Sequence, residues 1–174
     1  LERWLLHRLT ELDAKIRRAV ETHDWTGVYP EIHQFCATDL SAFYFDIRKD
    51  ALYCDASDAP RRRAARTVLD ILHRCLCAWF APVLVFTAEE AWLARFPDGD
   101  GSVHLLDFPF VPEGWKDQAL AVKWARLRDV RRAVTGVLER ARVAQEIGSS
   151  LQAAPVLHVG AKDAALLSPD LWAE

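Results

Sequence analysis

The side chains with reactive potential are few, and their spacing decides what each can do. Glu89 and Glu90 are adjacent carboxylates, the raw material of general acid–base chemistry. They follow Thr87 and Ala88, and Thr-Ala-Glu-Glu has the form of a capping box. In it the Thr87 hydroxyl accepts from the Glu90 N–H while Glu90 reaches back. The pair therefore reads as a helix start, where acids complement the dipole. His33 and Cys36 stand three apart, a spacing that can pair a base with a thiol. Cys36 falls on an apolar stripe, so the two read as a core thiol beside a satisfied histidine. His73, Cys75 and Cys77 supply metal-ligating types, but Cys-x-Cys is not the spacing of a zinc clip and Leu76 belongs to the core pattern. Gly99 and Gly101 precede no helix, so no phosphate-cradling loop is formed. No catalytic residue and no metal ligand is expected.

The arginines carry more information. Between residues 116 and 146 the chain has eight basic residues against four acidic ones, within a chain of net charge −3. At about 100° per residue, Arg128, Arg131, Arg132 and Arg142 fall within roughly one quadrant of a helix, beside its apolar stripe. A second cluster, Arg61, Arg62 and Arg63 with Arg66, opens another helix. Positive charge there opposes the helix dipole. A local rule broken in this way points to an external anion. Of the seven tryptophans, Trp79 and Trp124 lie on apolar stripes; Trp115, beside the irregular stretch, is the one considered for a ligand.

The elements that hold these residues are helical. In the first segment, about 2–21, Leu5, Leu9, Leu12, Ile16 and Ala19/Val20 recur at spacings of four and three, with His7 on the polar face. Asp24 would cap a second helix running to about Asp50, with Val28, Ile32, Phe35/Cys36, Leu40, Phe43 and Ile47 inward. Asp58 would cap a third, with Pro60 in its first turn and Val68, Leu69, Leu72, Leu76, Trp79 and Phe80 as its stripe. A short helix spans about 88–95. Six Pro and Gly residues make 97–114 irregular, with a brief extended piece at 102–106. The last long helix runs from about Lys116 to Gln145 and ends at Gly148. Residues 154–159 read as a strand and 161–167 as a short helix.

These pieces make an all-α fold, a bundle of four main helices plus one short one. The bundle is expected over 1–150, with 151–174 opening a truncated strand–helix region that is mobile or packs as an irregular tail. The 174 residues are long enough to bury a core without metal or disulfide, and the four cysteines are expected to be free and buried. A balance of 22 basic to 25 acidic residues excludes a globally basic nucleic-acid binder while leaving room for a basic face. No apolar run spans a membrane. The absence of Met, even at position 1, marks the sequence as an expected segment of a longer protein.

Several runs resemble the helical anticodon-binding domain of bacterial isoleucyl-tRNA synthetases, of the class I aminoacyl-tRNA synthetase family. They are Arg3-Trp4-Leu5-Leu6-His7-Arg8-Leu9; Asp39-Leu40-Ser41-Ala42-Phe43-Tyr44-Phe45-Asp46-Ile47-Arg48-Lys49-Asp50-Ala51-Leu52-Tyr53-Cys54; Phe80-Ala81-Pro82 through Phe86-Thr87-Ala88-Glu89-Glu90-Ala91-Trp92; Ser102-Val103-His104-Leu105; and Ile147-Gly148-Ser149-Ser150-Leu151-Gln152-Ala153. They keep the family order over about 2–160. The Ala-Pro…Trp stretch is shared more loosely by valyl, leucyl and methionyl enzymes. The Leu-Ser-Ala-Phe-Tyr and Ile-Gly-Ser-Ser-Leu runs point to the isoleucyl member, since valyl enzymes usually carry a Trp-containing run at the first position.

The resemblance implies a cytoplasmic, monomeric parent with a Rossmann catalytic domain, an editing domain, this bundle and a zinc-bearing C-terminal region. That parent attaches isoleucine to its tRNA with ATP, using Mg²⁺ and structural zinc. Its ATP-handling signatures match nothing here and its zinc ligands lie beyond residue 174. No cofactor is therefore assigned to these residues, and the cysteines inherit no role. The implied partners are isoleucine-specific tRNA and the catalytic and editing domains of the same chain, with no DNA and no membrane. Helix geometry, rather than a family motif, nominates Arg128, Arg131, Arg132 and Arg142, with Arg61, Arg62 and Arg63, as tRNA contacts. The alternatives are a structural or interaction bundle bracing the synthetase body, or the same domain of a valyl enzyme. An enzymatic role for the isolated chain ranks third.

Overall fold

Helix α1, Glu2–Thr22, buries Leu5, Leu9, Leu12, Ile16 and Ala19, the stripe that its periodicity requires. Each such side chain removed from water contributes about 1.5–3 kcal/mol. The helix is covered on more than that stripe. Trp4, Asp13 and His7 are also buried, so His7 does not lie on a solvated face. Its Nε2 sits 3.4 Å from Glu11 one turn on. The computed structural model describes residues 1–99 and 101–167. The expectation of an irregular tail beyond Leu167 lies outside them.

The second helical run is continuous but not uniform. Helix α2, Val28–Gln34, passes into a π-helical segment, Phe35–Phe45, and then into α3, Asp46–Tyr53. Burial shows why. Phe35, Asp39/Leu40, Phe43/Tyr44 and Arg48 advance four to five residues per turn, wider than the 3.6-residue α period. Asp24 does not cap this run. Its Oδ1 accepts from the Thr26 N–H at 3.0 Å, closing a local turn, and Gly27 takes the N-cap at φ +83°, a conformation suited to glycine.

Helix α4, Pro60–Phe80, starts with proline at its first position, as expected, but its N-cap is Ala59. The Arg63 N–H reaches the Ala59 carbonyl, which leaves Asp58 outside the first turn. Helix α5, Val85–Arg95, begins two residues before Thr87 because the chain turns tightly at Phe80–Leu84, with the Leu84 N–H on the Phe80 carbonyl at 2.7 Å. Thr87 is thus already helical and the expected capping box does not form. The adjacent Glu89 accepts from the Ser102 hydroxyl and the Val103 N–H, both at 2.9 Å. These bonds fold residues 102–106 into a 3₁₀ turn, Val103–Leu105, rather than an extended piece. Trp92 packs with Cys77, Ala81, Ala88 and Val103, and its indole N–H donates to the Gly101 carbonyl at 3.0 Å. Helix α4 packs on α1, α3 and α5, and a second 3₁₀ turn, Glu113–Trp115, packs on α1. These elements form one compact unit, Leu1–Lys116.

The second unit, Asp117–Glu174, is built on α6, Gln118–Val143. Asp117 caps it through the Leu120 N–H at 2.9 Å. Its buried residues are Trp124 and Leu127; Val137 and Val143 further along are exposed. The helix ends at Ala144, with Gln145 in the left-handed region at φ +60°, three residues before Gly148. Gly148 donates its N–H to Gln152 Oε1, and Gln152 closes a capping box with Ser149. Residues 153–160 have no regular secondary structure, with Ala153 and Gly160 extended, and the expected strand at 154–159 does not form because no second strand lies beside it among the described residues. The short helix α7, Ala161–Leu166, packs on α6 as expected in place and length. Among the described residues the fold is all-α, and no helix is long and apolar enough to cross a membrane.

Candidate nucleic-acid interface

The arginines that open α4 are held by the turn before them. Asp55 receives Arg61 bidentately, with Nε to Oδ2 at 2.9 Å and Nη2 to Oδ1 at 2.8 Å. The hydrogen bond from Arg61 and its charge hold the Asp55 carboxyl below its ordinary range, and the same contacts raise Arg61. Arg62 donates to the Asp55 carbonyl at 2.6 Å. A single acidic residue thus offsets the unfavourable dipole that the sequence exposes. Arg63 and Arg66, exposed on the same helix, have no ion pair among the described residues.

On α6, Arg132 and Arg142 are exposed and bridge to acids one turn back. Arg132 meets Asp129 at 3.0 Å and Arg142 meets Glu139 at 2.8 Å. Such surface pairs are worth about 0–1 kcal/mol and are given up readily to a stronger anion. Arg128 and Arg131 are half-buried on the same quadrant. On the opposite side Arg126 forms a fork with Asp163 of α7 at 2.6 and 2.7 Å, which the sequence did not signal because it depends on a contact 37 residues away. That fork lowers the Asp163 carboxyl through the hydrogen bond first and the guanidinium charge second.

Trp115 is half-buried in its 3₁₀ turn. The aromatic that sequence reasoning missed is Tyr53, 85% exposed at the end of α3, two residues before Asp55 and its arginines. An exposed ring beside arginines is the equipment for stacking an unpaired base while holding its phosphate.

The other reactive groups are accounted for by packing. Cys75 is buried, which pushes its thiol up to about 12, with Asp13 adding to the shift. Burial also raises Cys77, whose Sγ lies 3.6 Å from His73 Nε2. That nitrogen is 3.1 Å from the Ala91 carbonyl. Burial raises Cys36, while His33 is exposed; Cys54 is exposed too, against the expectation of four buried thiols. Among the described residues no three His, Cys, Asp or Glu side chains gather as a metal site.

Residues 2–158 match the family described as the anticodon-binding domain of tRNA ligase. Similar curated proteins are named isoleucine--tRNA ligase. One, from Gluconobacter oxydans, is 59% identical over all of this chain and 18% of its own length. Another, from Ruegeria pomeroyi, is 54% identical over 91% of this chain and 16% of its own. A third, from Agrobacterium fabrum, is 50% identical over 94% of this chain and 17% of its own. The chain thus spans about a sixth of the length of these relatives. Their names agree with the family that the sequence runs resemble. Nearly the whole helical chain matches a single family, and the chain belongs to the anticodon-binding domain family of tRNA ligases.

Proposed function

We propose that this chain holds the anticodon stem-loop of an isoleucine-accepting tRNA for a longer isoleucine--tRNA ligase. The relatives' shared name supports the isoleucyl assignment. The observation that carries the RNA-binding reading is the pair of exposed arginines on α6, Arg132 and Arg142, each bridged to an acid one turn away in solvent. Arg128, Arg131, Arg132 and Arg142 position phosphates; Arg61, Arg62 and Arg63 form a second phosphate cluster, and Tyr53 stacks an unpaired base. Residues 1–150 form the anticodon-binding domain and 151–174 open the next region; the family match over 2–158 takes in nearly all of the first and the start of the second. Catalysis, with its ATP, Mg²⁺ and structural zinc, belongs to other parts of a monomeric, cytoplasmic ligase. This bundle contributes binding and orientation and supplies no reacting group.

The test is binding of the chain to an isoleucine-tRNA anticodon stem-loop at low and moderate salt, beside an anticodon-scrambled loop. Preference for the cognate loop supports base readout by this chain. Equal and salt-sensitive binding to both limits it to phosphate positioning. Binding to neither contradicts the RNA reading and favours a role in bracing the ligase body.

A further inference from the structure

Helix α4 carries a second surface, of which the RNA reading uses only Arg63. A groove of about 1000 Å³ runs along it. Leu40, Phe45, Leu69 and Leu76 line its apolar part, and Arg63 and Arg66 line one end. Phe45 is 41% exposed, although it belongs to a helix whose other aromatic residues are buried. Residues 63–76 of α4 extend for about 20 Å at 1.5 Å per residue, close to four turns of a partner helix.

Three observations bear on what the groove accepts. First, Leu40 and Phe45 lie on the π-helical segment, Phe35–Phe45. Segments of this kind are mostly single turns and recur at functional sites; this one spans 11 residues. Second, Arg63 and Arg66 have no ion pair among the described residues, whereas Arg61 is taken by Asp55, and the one carboxylate that lines the groove, Asp70, is held by Arg74 and Arg95. Third, the leucines and Phe45 ask for carbon. A phosphate–ribose backbone gains nothing from desolvating them, whereas an amphipathic helix buries leucine-like anchors at i, i+3 and i+7 along such a surface. The arginines set the charge of the visitor, since anions opposite them are favoured and cations repelled.

We propose that this groove docks an amphipathic helix of a partner protein, with leucine-like anchors on the apolar floor and acidic residues over Arg63 and Arg66. The inference shares Arg63 with the proposed RNA contacts and otherwise rests on residues that the RNA reading does not use.

The test titrates the 174-residue chain against a fluorescein-labelled helical peptide of about four turns, with Leu at i, i+3 and i+7 and Glu in the intervening positions. Anisotropy is the readout, and a peptide of equal charge with Ser for Leu is the control. The expected result is saturable binding that weakens at least tenfold for the Ser peptide, for R63E/R66E and for Phe45→Ser. Because all three replaced side chains are exposed, circular dichroism of these variants should match the parent. The proposal is overturned by equal binding of both peptides, by no binding, or by variants that bind like the parent. It is equally overturned if Phe45→Ser weakens binding of the anticodon stem-loop as much as binding of the peptide, which assigns the groove to RNA. A dimer in sedimentation that R63E/R66E dissolves would assign it to a second copy of the chain.

Discussion

Arg48 and Arg132 each meet a carboxylate at hydrogen-bond distance, yet the two pairs do different work. Arg48, in Leu1–Lys116, is 2% exposed and holds Glu2 at 2.6 and 2.8 Å, with the Tyr44 hydroxyl also on Glu2. Arg132, in Asp117–Glu174, is 76% exposed and holds Asp129 at 3.0 Å from within its own helix. Removing one partner of a buried pair strands a charge away from water, whereas water takes over at once for an exposed one. The same residue type is structural in the first unit and exchangeable in the second. A basic cluster seen in a sequence is therefore a binding surface only where its partners are cheap to leave. By that criterion α6 is better equipped for RNA than Arg61 and Arg62, which the turn at Asp55 already occupies.

The contrast breaks most easily at the buried pair. Replacing Arg48 with Met should cost about 3 kcal/mol of unfolding free energy, and replacing Arg132 with Met less than about 0.5 kcal/mol, both read from urea denaturation. Equal losses would erase the distinction. Acid probes the same pair. Burial pushes the Glu2 carboxyl up, but the hydrogen bond and charge of Arg48 outweigh it and hold the group below its ordinary 4.5. A depressed carboxylate contributes stability that is complete above the ordinary value and is lost as pH falls through the folded one. The stability gap between the parent and Glu2→Gln should stay flat at neutral pH and narrow below about pH 4. A gap that widens there would contradict the assignment. The smallest effect is expected at the end of α6. Gln145→Gly relieves a left-handed backbone and should stabilise the second unit by about 0.5–1 kcal/mol, seen as slower amide exchange in the last turns of α6.

Much of the fold is legible in the sequence because apolar periodicity records burial directly. The stripes of α1 and α4, and Pro60 at the first position of α4, all fall where the spacing requires. What escaped depends on contacts that spacing does not encode. The π-helical turn shifts the inward face by a residue at Asp39/Leu40, and an alternation of four and three absorbs that shift unnoticed. Thr87 and Glu90 matched a capping pattern, yet a tight turn upstream moved the helix start, and the neighbouring Glu89 accepts from the Val103 N–H. Residues 154–159 read as a strand, but a ladder needs a second strand. Of the candidate site, the clustering and quadrant of the arginines were legible from composition and helix geometry. The capture of Arg61 and Arg62 by Asp55 was not, because it rests on the path of a short turn.

Phosphate binding by the α6 arginines is tested most directly by measuring how binding to the anticodon stem-loop depends on salt for the parent chain and for Arg132→Glu. Losing one phosphate contact should weaken binding at low salt and reduce the slope of log K against log salt by about one. Unchanged affinity and an unchanged slope would remove Arg132 from the interface and contradict phosphate binding by this face of α6.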